Sequence, residues 1–87
     1  MTDRPRPAAL EIQAWLVAYL ARELGVAPAS LDVNARLFDL GLGSRKAVIL
    51  AGDLEDWLDT SLPPDVTWEH PSIAALASHL AGAEAGA

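Results

Sequence analysis

Leu37-Phe-Asp-Leu-Gly-Leu-Gly-Ser-Arg-Lys-Ala-Val-Ile-Leu50 runs from a glycine-containing turn into an amphipathic helix, with a serine at the seam. Gly41 and Gly43 open backbone conformations that a Cβ forbids, so the stretch predicts a sharp turn that leaves the Ser44 hydroxyl exposed at a helix start. Unpaired N–H groups and the positive end of the helix dipole suit a phosphate on that hydroxyl, the dipole contributing roughly 0.3–1 kcal/mol at a surface. The same serine has a plainer reading. A serine after glycine is a favoured helix N-cap, worth roughly 0.5–2 kcal/mol over alanine.

Outward from the seam, the helix runs from about Ser44 to Leu58, with apolar positions Ala47/Val48, Leu50/Ala51, Leu54 and Trp57/Leu58 at a 3.6-residue period. Upstream, Ile12, Trp15/Leu16, Tyr19/Leu20 and Leu24 mark a first helix from Ala8, with Gly25 placed to end it in a left-handed cap and Pro28 beyond. Gly25 to Gly43 is a long connection, and Val26, Leu31, Val33, Leu37, Phe38 and Leu40 are its expected anchors. Downstream, Pro63-Pro64 breaks the chain and a short helix fits Asp65 to Glu69. Pro71 marks another boundary, and Ser72 caps a last helix carrying Ile73, Leu76/Ala77 and Leu80. No segment alternates with a period of two. The fold class predicted is all-α, a small four-helix bundle of three main helices plus a short third one. Residues 1–7, with two prolines, read as a flexible lead-in, residues 8–81 as the domain, and residues 82–87 as a linker-like tail.

The 87 residues make one domain, and 52% hydrophobic residues with mean hydropathy +0.22 supply a small core. A charged fraction of 21% argues against disorder. The absence of cysteine removes disulfide and thiolate-metal chemistry and fits a reducing compartment. Residues 37–87 hold two bases, Arg45 and Lys46, against eight acids, which accounts for the whole net charge of −6. Such a surface repels nucleic acid and attracts proteins with basic patches; most of these acids form a solvated face. The longest apolar run, Ala47 to Ala51, is far below the roughly 20 residues a membrane span requires, and the start lacks a signal-peptide pattern. A soluble, cytoplasmic, monomeric domain is expected.

Phe38-Asp39-Leu40-Gly41-Leu42-Gly43-Ser44 resembles the 4′-phosphopantetheine attachment site of acyl carrier proteins, particularly those of polyketide synthases. The likeness continues through Ala47-Val48, Leu54-Glu55-Asp56-Trp57-Leu58, Leu62-Pro63 and Trp68-Glu69-His70-Pro71-Ser72-Ile73-Ala74-Ala75-Leu76-Ala77, covering Ala8 to Leu80. The resemblance implies a four-helix arrangement and a covalent 4′-phosphopantetheine on Ser44, placed there from coenzyme A by a phosphopantetheinyl transferase that uses magnesium. Its terminal thiol carries acyl groups as thioesters. The implied partners are that transferase, an acyl-loading enzyme (an acyl-AMP ligase or an acyltransferase), and a ketosynthase or other assembly-line enzymes. Leu42, Gly43, Arg45, Lys46, Val48 and Trp68 are the residues expected to be recognised. Most of the family has Asp-Ser-Leu where this chain has Gly43-Ser44-Arg45, so an acid and an apolar contact are lost and a guanidinium stands where it can pair with the phosphate. Ser44-Arg45, Leu-Glu-x-Trp-Leu and Trp-Glu-His-Pro together are similar to carriers that work beside fatty-acyl-AMP ligases.

The remaining aromatic and titratable residues have plainer readings. Trp15 and Trp57 fall on apolar stripes and read as core, and Trp68 reads as nearer core than surface. His70 and His79 read as structural or solvent-facing, outside any metal-ligand spacing. A hydrolytic triad of Ser44, a histidine and Asp39 fails because Leu42 and Lys46 stand where a nucleophile elbow needs glycines, so no catalytic residue is assigned. A peptidyl carrier usually shows Leu-Gly-Gly-His/Asp-Ser, which Gly41-Leu42-Gly43-Ser44 fits less well. A helical docking module with Ser44 as a mere cap is the remaining alternative.

Overall fold

The computed structural model describes residues 8–63 and 65–82, which form four α-helices: α1 (Ala9–Leu24), α2 (Ser44–Leu58), α3 (Val66–Glu69) and α4 (Ile73–Gly82). α1 buries Ile12, Leu16, Tyr19 and Leu20, the three-and-four stripe of the sequence, and packs chiefly along α4, which turns Ile73, Leu76, Ala77 and Leu80 inward. α1 ends at Gly25, whose φ of 68° lets its N–H and that of Val26 both reach the Ala21 carbonyl. Ser72 caps α4, its Oγ accepting the Ala75 N–H at 3.1 Å. α4 extends through Gly82, which composition alone assigns to the tail. Residues 1–7 and the rest of that tail lie outside the described residues.

α2 closes the bundle through Ala47, Leu50, Ala51, Leu54 and Leu58. The Tyr19 hydroxyl donates to Asp53 Oδ2 at 2.6 Å, tying α2 to α1. Trp15 stacks on the buried Tyr19 (5.1 Å) and on Trp57 (5.0 Å), an aromatic ladder along the same seam whose two tryptophans are half-buried. α2 ends on Asp59 in the left-handed region (φ 54°, ψ 49°), and the N–H groups of Asp59 and Thr60 reach the Glu55 carbonyl. The Glu55 side chain then takes the Leu62 N–H at 2.7 Å, which holds the start of the connection to α3.

The long connection is held by backbone as well as by side chains. After a 3-10 turn at Pro28–Ser30, the Asn34 N–H is taken by Asp32 Oδ1. Arg36 then forms an isolated antiparallel bridge with Ser72, supported by Leu37 N–H to the Pro71 carbonyl (2.7 Å) and Ala74 N–H to the Val33 carbonyl (2.9 Å). These bonds clamp the connection to the start of α4. Leu37 is buried, and Leu31, Val33, Phe38 and Leu40 pack half-buried against the core, as the sequence predicts. Val26 does not serve as an anchor. It is exposed, because it follows the left-handed cap that turns the chain away from the bundle.

Candidate functional site

The turn before α2 is wound tightly on its own backbone: Leu40 and Leu42 N–H groups both return to the Leu37 carbonyl at 3.1 Å, and Gly41 N–H to Phe38. Gly41 has φ 110°, a conformation that L side chains rarely adopt, so a glycine is required there. Leu37 and Leu42 bracket this turn and are both fully buried (0% and 1% exposed). Leu42 is therefore not a surface that a partner can touch, contrary to the sequence expectation; the turn folds over it and it acts as a pillar beneath the site. Gly43 also departs from expectation. Its φ of −79° and ψ of 170° are ordinary extended backbone, and an added Cβ would meet nothing within 4 Å. No conformational strain calls for a glycine at that position.

Gly43 occupies the N-cap position of α2 and has no side chain to cap it, while Ser44 is the first helical residue and is exposed. The serine-as-cap reading fails on this geometry. The first helical bond runs from Ala47 N–H to the Gly43 carbonyl at 2.9 Å, which leaves the N–H groups of Ser44, Arg45 and Lys46 without helical partners. An anion joined to the Ser44 hydroxyl therefore stands in open space at the positive end of a 15-residue helix, and the residues present fit a phosphodiester there. Arg45 and Lys46 are exposed beside it, and Lys46 Nζ leans toward the Glu23 carbonyl at the end of α1 (3.5 Å).

Val48 is 63% exposed, and its neighbour Ile49, which sequence reasoning did not single out, is 52% exposed. Both follow from helical geometry. Once Ala47, Leu50, Ala51 and Leu54 face the core, positions 48 and 49 fall off the buried stripe. Trp68 is 61% exposed and lies on Phe38 (4.5 Å). The expectation that it is nearer core is corrected: α3 has four residues and spends its inward positions on Val66 and Thr67. His70 and His79 stack on one another at 3.8 Å, and no cluster of three or more metal-ligating side chains occurs among the described residues. No helix there is long and apolar enough to cross a membrane.

The family described as "Phosphopantetheine attachment site" matches residues 14–80. Over 74 residues the chain is 42% identical to a phenolphthiocerol/phthiocerol polyketide synthase of Mycobacterium tuberculosis, covering 85% of this chain but 4% of that much longer protein. It is 29% identical to the acyl carrier protein TtuC of Teredinibacter turnerae over 92% of each. Among solved structures, an acyl carrier protein from Anabaena sp. PCC 7120 with a variant phosphopantetheinylation-site sequence superposes with a TM-score of 0.84 at 35% identity, over 95% of this chain and 94% of that one. An exposed serine at the open start of α2, on a four-helix scaffold matched along nearly its whole length, leads to one assignment: the chain belongs to the phosphopantetheine attachment-site family and is a carrier domain that holds 4′-phosphopantetheine covalently.

Proposed function

We infer that Ser44 Oγ is the atom that carries the 4′-phosphopantetheine, that a phosphopantetheinyl transferase installs it from coenzyme A, and that the loaded domain presents acyl intermediates to the enzymes of a polyketide-type assembly line. One observation supports this above the rest. Ser44 stands one residue inside the helix, where its hydroxyl does no capping and the neighbouring N–H groups await an anion. When bound, the arm supplies a terminal thiol that holds the acyl group as a thioester. The chain's own residues do the remaining work. Gly41 and the buried Leu42 fix the turn, the first-turn N–H groups and Arg45 face the phosphate, and Gly43, Lys46, Val48 and Trp68 complete an exposed rim for partner enzymes. Short-lived contacts on such a rim favour fast encounter over tight binding, as a carrier visiting several enzymes requires. Likeness to polyketide synthase relatives favours an acyl rather than a peptidyl cargo.

Intact-protein mass spectrometry after incubation with coenzyme A and a broad-specificity transferase tests the assignment. Wild type is expected to gain one phosphopantetheinyl group, and Ser44→Ala none. An unmodified wild type, or a modified Ser44→Ala, refutes it. The loading enzyme is proposed to be an acyl-AMP ligase that sets acidic or polar groups against Arg45. A loading rate unchanged in the Arg45→Leu, Lys46→Glu double variant counts against that partner chemistry.

A further inference from the structure

Trp68 is 61% exposed, while Trp15, Trp57 and Phe38 are half-buried and Tyr19 is buried. One face of its ring system lies on Phe38, with centroids 4.5 Å apart and planes 26° from parallel, so the opposite face looks into solvent. The fold needs only a cover over Phe38 here, which an aliphatic side chain supplies. What an indole adds is a flat π surface.

That surface is held beside the attachment turn from two sides. The Leu37 carbonyl, which leads directly into Phe38, accepts the Leu42 N–H at 3.1 Å, and Ser44 lies two residues on, at most about 7 Å away at full extension. Pro71, three residues past Trp68, takes the Leu37 N–H at 2.7 Å. Trp68 therefore cannot leave the neighbourhood of Ser44 without breaking the clamp on the long connection. A pantetheine arm, with its two amides, is about as long as five extended residues, roughly 16–18 Å. The way from Ser44 to the indole runs back through a folded turn, and an arm of that length brings its acyl end over the ring. A short flexible tether sets an effective concentration in the millimolar range, so a stack too weak to form between separate molecules forms here for part of the time. An open indole face selects for flatness: a planar, conjugated group lays its whole face on it, whereas a saturated ring touches it through a few hydrogens.

Resting on Ser44 as the attachment point, we propose that the outer face of Trp68 is a stacking platform for the arm's cargo, holding planar conjugated acyl groups (aryl or enoyl thioesters) against the domain between visits to partner enzymes. The cargo is covered on one face while it waits. A partner that covers Trp68 displaces it as it docks, so release coincides with delivery.

Nuclear magnetic resonance of the loaded domain tests it. A broad-specificity transferase that accepts acyl-coenzyme A loads wild type with benzoyl or with cyclohexanecarbonyl pantetheine, rings of equal size that differ in flatness, and intact mass confirms the loading. Proton–nitrogen correlation spectra then read the three indole N–H groups, that of Trp68 being assigned by its loss in Trp68→Leu. Benzoyl loading is expected to shift the Trp68 N–H from its place in the unacylated holo form by at least about twice the shift that cyclohexanecarbonyl produces. Nuclear Overhauser contacts are expected from the benzoyl ring to Trp68 and none to Trp15 or Trp57. In Trp68→Leu the benzoyl resonances are expected to match those of free benzoyl pantetheine. A Trp68 N–H that benzoyl loading leaves in place, or that both rings move equally, overturns the platform and leaves the Ser44 assignment standing. A wild type that takes up no acyl pantetheine overturns that assignment and the platform with it.

Discussion

Leu42→Ala separates a buried pillar from a partner contact, two roles that predict opposite phenotypes. Leu42 is 1% exposed beneath the turn that delivers Ser44. Truncation removes three carbons, and at about 0.8 kcal/mol each the transfer loss alone is about 2.4 kcal/mol. The turn is pinned on both sides, by the Leu37 bonds to Leu40 and Leu42 and by the start of α2, so it collapses poorly onto the space left behind. A cavity term of about 24 cal/mol per Å³ then brings the loss to about 3–4 kcal/mol. For a domain of this length total stability is on the order of 4–13 kcal/mol, so the variant loses a large share of it. At roughly 4–8 °C per kcal/mol the midpoint falls by more than about 12 °C. Leu42→Met, which keeps the volume, is expected to cost less than about 1.5 kcal/mol. Val48→Ala, at an exposed position, should stay within about 0.5 kcal/mol of wild type while weakening transferase kinetics. Thermal and urea unfolding read the stability, and initial rates of phosphopantetheinylation read the docking. A Leu42→Ala protein that loses under about 1 kcal/mol yet is poorly modified refutes the pillar and restores Leu42 to the partner surface.

Three further outcomes follow from local geometry. Burial first, and then the hydrogen bond to Asp53, hold the Tyr19 phenol well above its ordinary value of 10.0. With the folded value raised, its stabilisation is complete below about pH 10 and declines above it by up to about 1.4 kcal/mol per pH unit. Because the chain has one tyrosine, Tyr19→Phe is expected to remove that alkaline slope in pH-dependent unfolding. At neutral pH the same variant loses about 1.5–2 kcal/mol, the lower part of the range for a bond to a charged acceptor, because Asp53 is half-buried. Asp59→Gly relieves a left-handed non-glycine residue and removes an acid from a helix C-terminus, so it should raise stability by about 0.5–1.5 kcal/mol in thermal denaturation. Gly41→Ala forces a Cβ into φ 110° and should lower stability by at least about 1 kcal/mol, although only Leu24 comes near the new methyl, at 3.7 Å.

The helices were legible because their cues are local. Gly25, Ser72 and the three-and-four stripes each act within a turn or two, and α2 spans Ser44–Leu58 as its pattern predicts. Leu42 and Val48 were harder. Whether a loop leucine is buried depends on what the chain later folds over it, and a stripe that admits adjacent pairs does not tell Ala47 from Val48. The Arg36–Ser72 bridge joins residues 36 apart in sequence, which no local pattern reports. The left-handed cap at Asp59 carries no glycine to announce it. At the site, the sequence singled out Ser44 but read Gly43 as conformationally necessary, whereas its ordinary dihedrals show that its consequence is the absence of a capping side chain.

α2 is built against its own stability at several positions, and their placement is informative. The helix opens with Arg45 and Lys46 at the positive end of its dipole and closes with Asp56 and Asp59 at the negative end, the reverse of the favoured order, at about 0.3–1 kcal/mol for each charge. Gly52 adds about 1 kcal/mol in the interior. Asp53 and Glu55 are accounted for by bonds to Tyr19 and to the Leu62 backbone, and Lys46 by its lean toward the end of α1. Among the described residues Arg45, Gly52 and Asp56 show no such bond, and these three share the open face with Val48 and Ile49. Where local choices oppose the fold without an internal return, the return lies in what the surface does. The open first turn adds to this, since a phosphodiester on Ser44 brings negative charge to the place where the dipole, Arg45 and Lys46 have gathered positive charge.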